Sequence, residues 1–194
     1  MPRLRTIPES HLLPPDDIPL NDALLRKLKF DTFFLEMNRI YIETSVISFL
    51  TARPSKDVVL AGHQASTRIF WKSKNAYELF ISDMVIQECE KGDADCAQSR
   101  IQAITGLPVL NVDKEVECLA SELIRKNAIP KNSVEDAVHI AVASVSAIDF
   151  IVTWNFKHIN NPFMKQQIRE VIINQGYTMP EICSPEELLE AHDE

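Results

Sequence analysis

The sequence predicts an α/β fold: a three-layer α/β/α sandwich with a central parallel sheet of four to five strands. Three observations predict it. Short apolar runs such as Ile40-Tyr41-Ile42 and Phe150-Ile151-Val152 are long enough only for strands. Stretches of helical periodicity separate them, and strands separated by helices imply parallel pairing with helices on both faces. Polar residues stand just past the strand ends, where open α/β sheets hold ligands.

Residues 1–38 stand apart as an N-terminal extension, and residues 39–194 form the domain. Pro2, Pro8, Pro14, Pro15 and Pro19 favour an extended, mobile chain. Asn21 or Asp22 then opens a helix to about Met37, with Leu24, Leu25 and Leu28 on one face. A helix that short is marginal alone, so it is expected to pack either on its own domain or on a second chain.

The domain opens with a strand over residues 39–43, and Thr44 or Ser45 caps a short helix through Leu50. The segment from Arg53 to Asp57 breaks it. A longer helix to Lys72 carries an apolar stripe that includes Val58, Ala61, Ala65 and Ile69. A strand over 77–82 follows, then a helix capped by Asp83 and carrying Glu88. Gly92-Asp93 starts the next helix, to Ile104. A third strand spans 107–112, and Asp113 opens a helix to about Lys126. Ser133 opens a small-residue helix, with Asp136 at the last position of an S-x-x-D capping box. The strand at 150–152 follows. Pro162 sits at the start of a helix that Gly176 ends. Ile182-Cys183 forms an edge strand, and Ser184-Pro185-Glu186-Glu187 caps a last short helix.

Bulk composition narrows the function. Only 4 glycines occur, and neither G-x-G-x-x-G nor G-x-x-x-x-G-K-[ST] is present, which argues against dinucleotide and P-loop chemistry. The net charge of −8 argues against loose, charge-driven nucleic-acid binding, though not against a local basic patch. Cys89, Cys96, Cys118 and Cys183 form no C-x-x-C pair and read as reduced, mostly buried thiols of a cytoplasmic protein. No apolar run approaches the ~20 residues of a membrane span.

Three carboxylates occupy equivalent places: Glu43 ends the first strand, Glu88 follows the second, and Asp136 opens the helix before the fourth. Asn155 follows that strand. Parallel strands bring such groups to one rim, where without a cation each carboxylate raises the others' pKa. Oxygen ligands suit Mg²⁺ or Mn²⁺. Each residue also has a plainer role: Asp136 as a capping residue, Glu88 on a solvated face, Asn155 as a helix cap. His139 lies one turn after Asp136 and reads as a structural histidine; His158 reads as surface.

Four motifs carry a family resemblance: Y-I-E-T-S-V-I-S-F-L, I-S-D-M-V-I-Q-E-C, S-V-E-D-A-V-H-I-A-V-A and D-F-I-V-T-W-N-F-K-H, in this order. Together they resemble the PIN-domain family, and within it the VapC-like toxins of bacterial type II toxin–antitoxin systems. The resemblance covers about residues 39 to 160. It implies a PIN-like sandwich and Mg²⁺- or Mn²⁺-dependent endoribonuclease activity. It places the metal site on Glu43, Glu88 and Asp136 and the fourth catalytic position on Asn155, with Thr44 or Ser45 and Thr153 as companion hydroxyls. It also implies an RNA substrate, an antitoxin partner and a homodimer. Two departures stand out. The family usually has Asp at position 43 and often at 155, so this site offers three charges instead of four.

A metal-dependent ribonuclease is therefore the leading expectation. Arg53, Lys56, Lys72, Lys74, Lys157 and Lys165 are its candidate phosphate contacts. A catalytically weak PIN-like protein-binding module is the alternative, motivated by Asn155, the acidic surface and the N-terminal extension. In either case residues 21–34 are expected to contact the acidic groove or a dimer mate.

Overall fold

A computed structural model of the chain describes residues 37–190. The expected N-terminal helix and its contacts lie outside the described residues.

The described chain alternates strands and helices. Its first half runs β1 (Arg39–Ile42), α1 (Thr44–Thr51), α2 (Val58–Lys72), β2 (Glu78–Ser82), α3 (Asp83–Cys89), α4 (Ala94–Ile104) and β3 (Val109–Leu110). Its second half runs α5 (Lys114–Arg125), α6 (Val134–Val145), β4 (Phe150–Val152), α7 (Pro162–Asn174), β5 (Glu181–Cys183) and α8 (Pro185–Glu190). All five strands are parallel, in the order β3-β2-β1-β4-β5. Helices α1 to α4 and α8 pack among themselves as one layer, and α5, α6 and α7 as the other. The expected three-layer sandwich is the observed one, with five strands.

The central strands are apolar because helices cover both faces. Ile40, Tyr41, Ile42, Ile151 and Val152 are fully buried. Residues 137–144 of α6 are all buried, so that stretch is covered on every side, and Ala137, Ala141, Ala143 and Ser144 let its neighbours approach. Most helix starts follow local chemistry. Asp57, Asp93, Asp113 and Asn161 each accept a backbone N–H of the first turn. At α8 the Ser184 N–H donates to Glu187 Oε2 (2.7 Å) and the Glu187 N–H to Ser184 Oγ (3.1 Å), a complete capping box.

Four local expectations need correction. Neither Thr44 nor Ser45 caps α1: its N-cap is Glu43, without a side-chain cap bond, and the Thr44 and Ser45 hydroxyls donate to Glu88 and Glu43 instead. The cap of α3 is Ser82, whose Oγ accepts from Val85 N–H, while Asp83 Oδ2 accepts from Val112 N–H. The third strand is two residues long because Leu107 N–H bonds back to Ile104 and Val112 N–H is taken by Asp83. The capping box expected at Ser133 does not form: Ser133 makes no side-chain cap bond. Of the four thiols, Cys89 and Cys183 are buried, Cys96 and Cys118 are exposed, and none pairs. No helix among the described residues is long and apolar enough to cross a membrane.

Helix α6 ends in a Schellman turn, with Ile148 N–H bonding Ala143 O and Ala147 N–H bonding Ser144 O. This puts Ala147 at φ 50°, a left-handed conformation that disfavours a Cβ. Ala147→Gly is therefore expected to raise stability by about 0.5–1 kcal/mol in chemical denaturation. A variant less stable than the parent would contradict that account of the turn.

Candidate functional site

The strand order reverses between β1 and β4. From β1 the chain proceeds to β2 and β3 on one side, and from β4 to β5 on the other. Connections leave the adjoining C-terminal ends in opposite directions and open a crevice between them. Glu43 follows β1 directly, its N–H bonded to Val152 O at 3.1 Å. Residues 153–155 follow β4, and Glu88 sits on α3 just beyond β2.

Glu43 is buried, 6% exposed, yet its carboxylate is well supplied with donors. Ser45 Oγ and Thr153 Oγ1 both donate to its Oε2, the latter at 2.7 Å. Each hydroxyl accepts a backbone N–H in turn: Trp154 onto Ser45 (2.9 Å) and Asn155 onto Thr153 (2.9 Å). With backbone donors fixing the acceptor side, each hydroxyl hydrogen is left for the carboxylate.

Glu88 is held in the same manner. Thr44 Oγ1 donates to its Oε2, and so does His139 Nε2 at 3.0 Å. The other ring nitrogen of His139 meets Tyr41 OH at 2.7 Å, and Tyr41 OH meets Ser82 Oγ at 2.7 Å. Burial lifts the Glu88 carboxyl, but the His139 and Thr44 hydrogen bonds and the His139 charge outweigh it and hold its pKa below the ordinary value. Burial disfavours protonated His139, but the Glu88 hydrogen bond and the charges of Glu43, Glu88 and Asp136 outweigh it and raise its pKa.

Asp136 is held by different partners. Its Oδ1 accepts from Asn155 Nδ2 (2.8 Å) and its Oδ2 meets His158 Nδ1 (2.7 Å). Asn155 Oδ1 accepts from His158 N–H (3.1 Å), so Asn155 closes a local turn and also holds Asp136. His158 is partly buried rather than on the surface, and Ser133 Oγ faces its Nδ1 at 3.0 Å. That contact engages the hydroxyl that would have capped α6.

The structure gathers Glu43, Glu88 and His139: one ligand-capable atom from each lies within 4.8 Å of the others. Asp136 is outside that cluster, although its charge reaches His139. The donor chemistry of Glu43 and Glu88 fits a hard divalent cation. Each carboxylate has one oxygen fixed by two side-chain donors, and no hydrogen bond among the described residues uses the other oxygen. Both ring nitrogens of His139 are engaged, which suits it to orienting Glu88. The role of His139 could not be read from sequence spacing, because its partners come from β1 and α3.

Two candidate phosphate contacts are otherwise occupied. Lys165 donates its ammonium to Ile182 O (2.7 Å), and Lys74 lies 5.0 Å from the centroid of the Trp71 ring. Arg53, Lys56 and Lys157 are exposed.

No family model and no curated protein matches the chain. Among solved structures it is similar to VapC20 of Mycobacterium tuberculosis. That protein is described as a sarcin–ricin loop cleaving toxin. The likeness has a TM-score of 0.48 and 18% identity, over 63% of this chain and 95% of that one.

The Glu88–His139 pair makes stability depend on pH. A lowered Glu88 pKa contributes stability above the unfolded value, lost as pH falls through the folded one; a raised His139 pKa contributes below the unfolded value, lost as pH rises through the folded one. In chelator, the stability gap between the parent and Glu88→Gln should be widest between pH ~4.3 and ~6.5 and narrow on either side. A gap independent of pH in denaturant titrations would contradict the pairing.

Proposed function

We propose that the chain is a metal-dependent endoribonuclease, the toxin of a toxin–antitoxin pair. One observation carries this most: Glu43 and Glu88 converge at the switch-point crevice, each with one oxygen fixed by neighbouring donors and the other left for a hard cation. The motif resemblance supplies the substrate class. Glu43, Glu88 and Asp136 are the proposed metal ligands, for Mg²⁺ or Mn²⁺, with Asn155 the fourth catalytic residue. When bound, the ion supplies Lewis-acid polarisation of a phosphodiester and lowers the pKa of water.

The chain's own groups do the positioning. Ser45 and Thr153 fix Glu43; Thr44 and His139 fix Glu88. Asn155 and His158 hold the Asp136 carboxylate. Asn155 adds no charge, but its amide sets the angle of a carboxylate, a task an aspartate could not perform as a donor. RNA, an antitoxin and a second copy of the chain are the proposed partners, in the cytoplasm. The division into a 1–38 extension and a 39–194 nuclease domain belongs to the same proposal.

A second reading has its own observation. Both Asp136 oxygens are engaged by Asn155 and His158, and His139 takes a place inside the acidic cluster. Those features suit a catalytically weak PIN-like module that acts by protein contact. RNA cleavage separates the two. The nuclease proposal expects cleavage with Mn²⁺, its abolition by EDTA, by Glu43→Gln and by Asp136→Asn, and a ~10- to ~100-fold loss in Thr153→Val through misorientation of Glu43. Cleavage that survives chelation and both carboxylate substitutions would rule it out.

A further inference from the structure

Beside the carboxylates, at the end of β4, four rings meet: Phe49 of α1, His63 of α2, Trp154 and Phe156. Trp154 is buried, and its Nε1–H donates to Thr67 Oγ1 at 2.8 Å. The His63 ring stacks on it, centroids 4.1 Å apart and planes 19° from parallel. Phe49 packs edge-on to His63 at 5.5 Å and tilted to Trp154 at 5.9 Å. Phe156 stands edge-on to Trp154 at 6.0 Å and 6.2 Å from His63, and is 46% exposed.

Core packing accounts for Trp154 but not for Phe156, an apolar ring held half in solvent beside a charged rim. The ring behind it, Trp154, is anchored through both its backbone and its indole N–H. The Trp154 N–H bonds Ser45 Oγ, and that hydroxyl in turn donates to Glu43 Oε2. One serine therefore fixes the aromatic cluster and a proposed metal ligand relative to each other. Phe156 also follows Asn155, which holds Asp136.

We propose that Phe156, backed by Trp154 and His63, is a stacking platform for one base of a single-stranded RNA whose neighbouring phosphate is presented to Glu43 and Glu88. This rests on the ribonuclease reading and adds to it a single-stranded substrate with an unpaired base next to the reacting phosphate. Three observations favour RNA over a protein segment. The platform is continuous with the carboxylates through Ser45 and Asn155. Exposed Lys157 follows Phe156 directly, and Arg53 rims an adjoining hollow of about 380 Å³ that includes Phe49 and Leu60, so cations for the backbone flank the rings. The surface offered is a half-exposed aromatic ring packed against Trp154 and His63, and every base has a π-face, so stacking of this kind tolerates sequence.

The test uses the full chain with Ca²⁺ in place of Mn²⁺ and a fluorescently labelled RNA octamer. Equilibrium binding is compared for the intact octamer and for versions carrying one abasic position moved along it. The expected result is a ~10-fold loss of affinity for one abasic position. Phe156→Ala should lose the same factor on intact RNA and no longer discriminate the abasic versions; Phe156→Trp should behave as the parent. Equal binding by parent and Phe156→Ala, with no position dependence, overturns the platform and leaves the nuclease reading standing. Full binding by Phe156→Leu overturns it too, because an apolar contact of the kind a protein partner makes would then suffice. Failure of every variant to bind RNA removes the nuclease reading and the platform together.

Discussion

The close approach of Glu43 and Glu88 at the C-terminal rim of the sheet sets the terms for the side chains around them. Carboxylates gathered beside an apolar core must be neutralised, paired or bridged by a cation. The chain answers with donors. Four side chains, Ser45, Thr153, Thr44 and His139, converge on one oxygen of Glu43 and one of Glu88. The hydrogen bond to Glu88, together with the charges of Glu43, Glu88 and Asp136, raises the His139 pKa despite complete burial. The cluster is thereby tolerable without a metal.

The fold makes that arrangement possible. Reversal of strand order at β1 and β4 puts Glu43 and Thr153 side by side, although they are 110 residues apart in sequence. Helix α6 is covered on every side over residues 137–144, so its position is set by packing, and His139 and Asp136 come with it. The Tyr41–His139–Glu88 chain then links the sheet, the α6 layer and the α3 layer in one line of hydrogen bonds. Loss of one member leaves buried polar groups unpaired, which costs about 1–3 kcal/mol each.

Much of the fold was legible because its signals are local. Asp57, Asp93, Asp113, Asn161-Pro162 and the Ser184–Glu187 box each announce a helix within four residues, and each forms. Where local signals misled, a distant group had intervened. Ser133 and Asp136 have the spacing of a capping box, but His158 lies against both side chains. The third strand shrinks because Asp83, 29 residues away, takes the N–H of Val112. Glu43 and Glu88 could be picked out as carboxylates at strand ends. Their hydroxyl clamps, His139 as a bridge and the ring cluster at Trp154 depend on which elements become neighbours, and periodicity does not encode that.

In the proposed function, Glu43 and Glu88 share one hard cation. Electron paramagnetic resonance of Mn²⁺ titrated into the full chain tests it most directly, because it counts bound ions without requiring a substrate. One ion is expected to bind the parent and to be lost in both Glu43→Gln and Glu88→Gln, each variant retaining its fold by circular dichroism. Undiminished Mn²⁺ binding in either variant would contradict it.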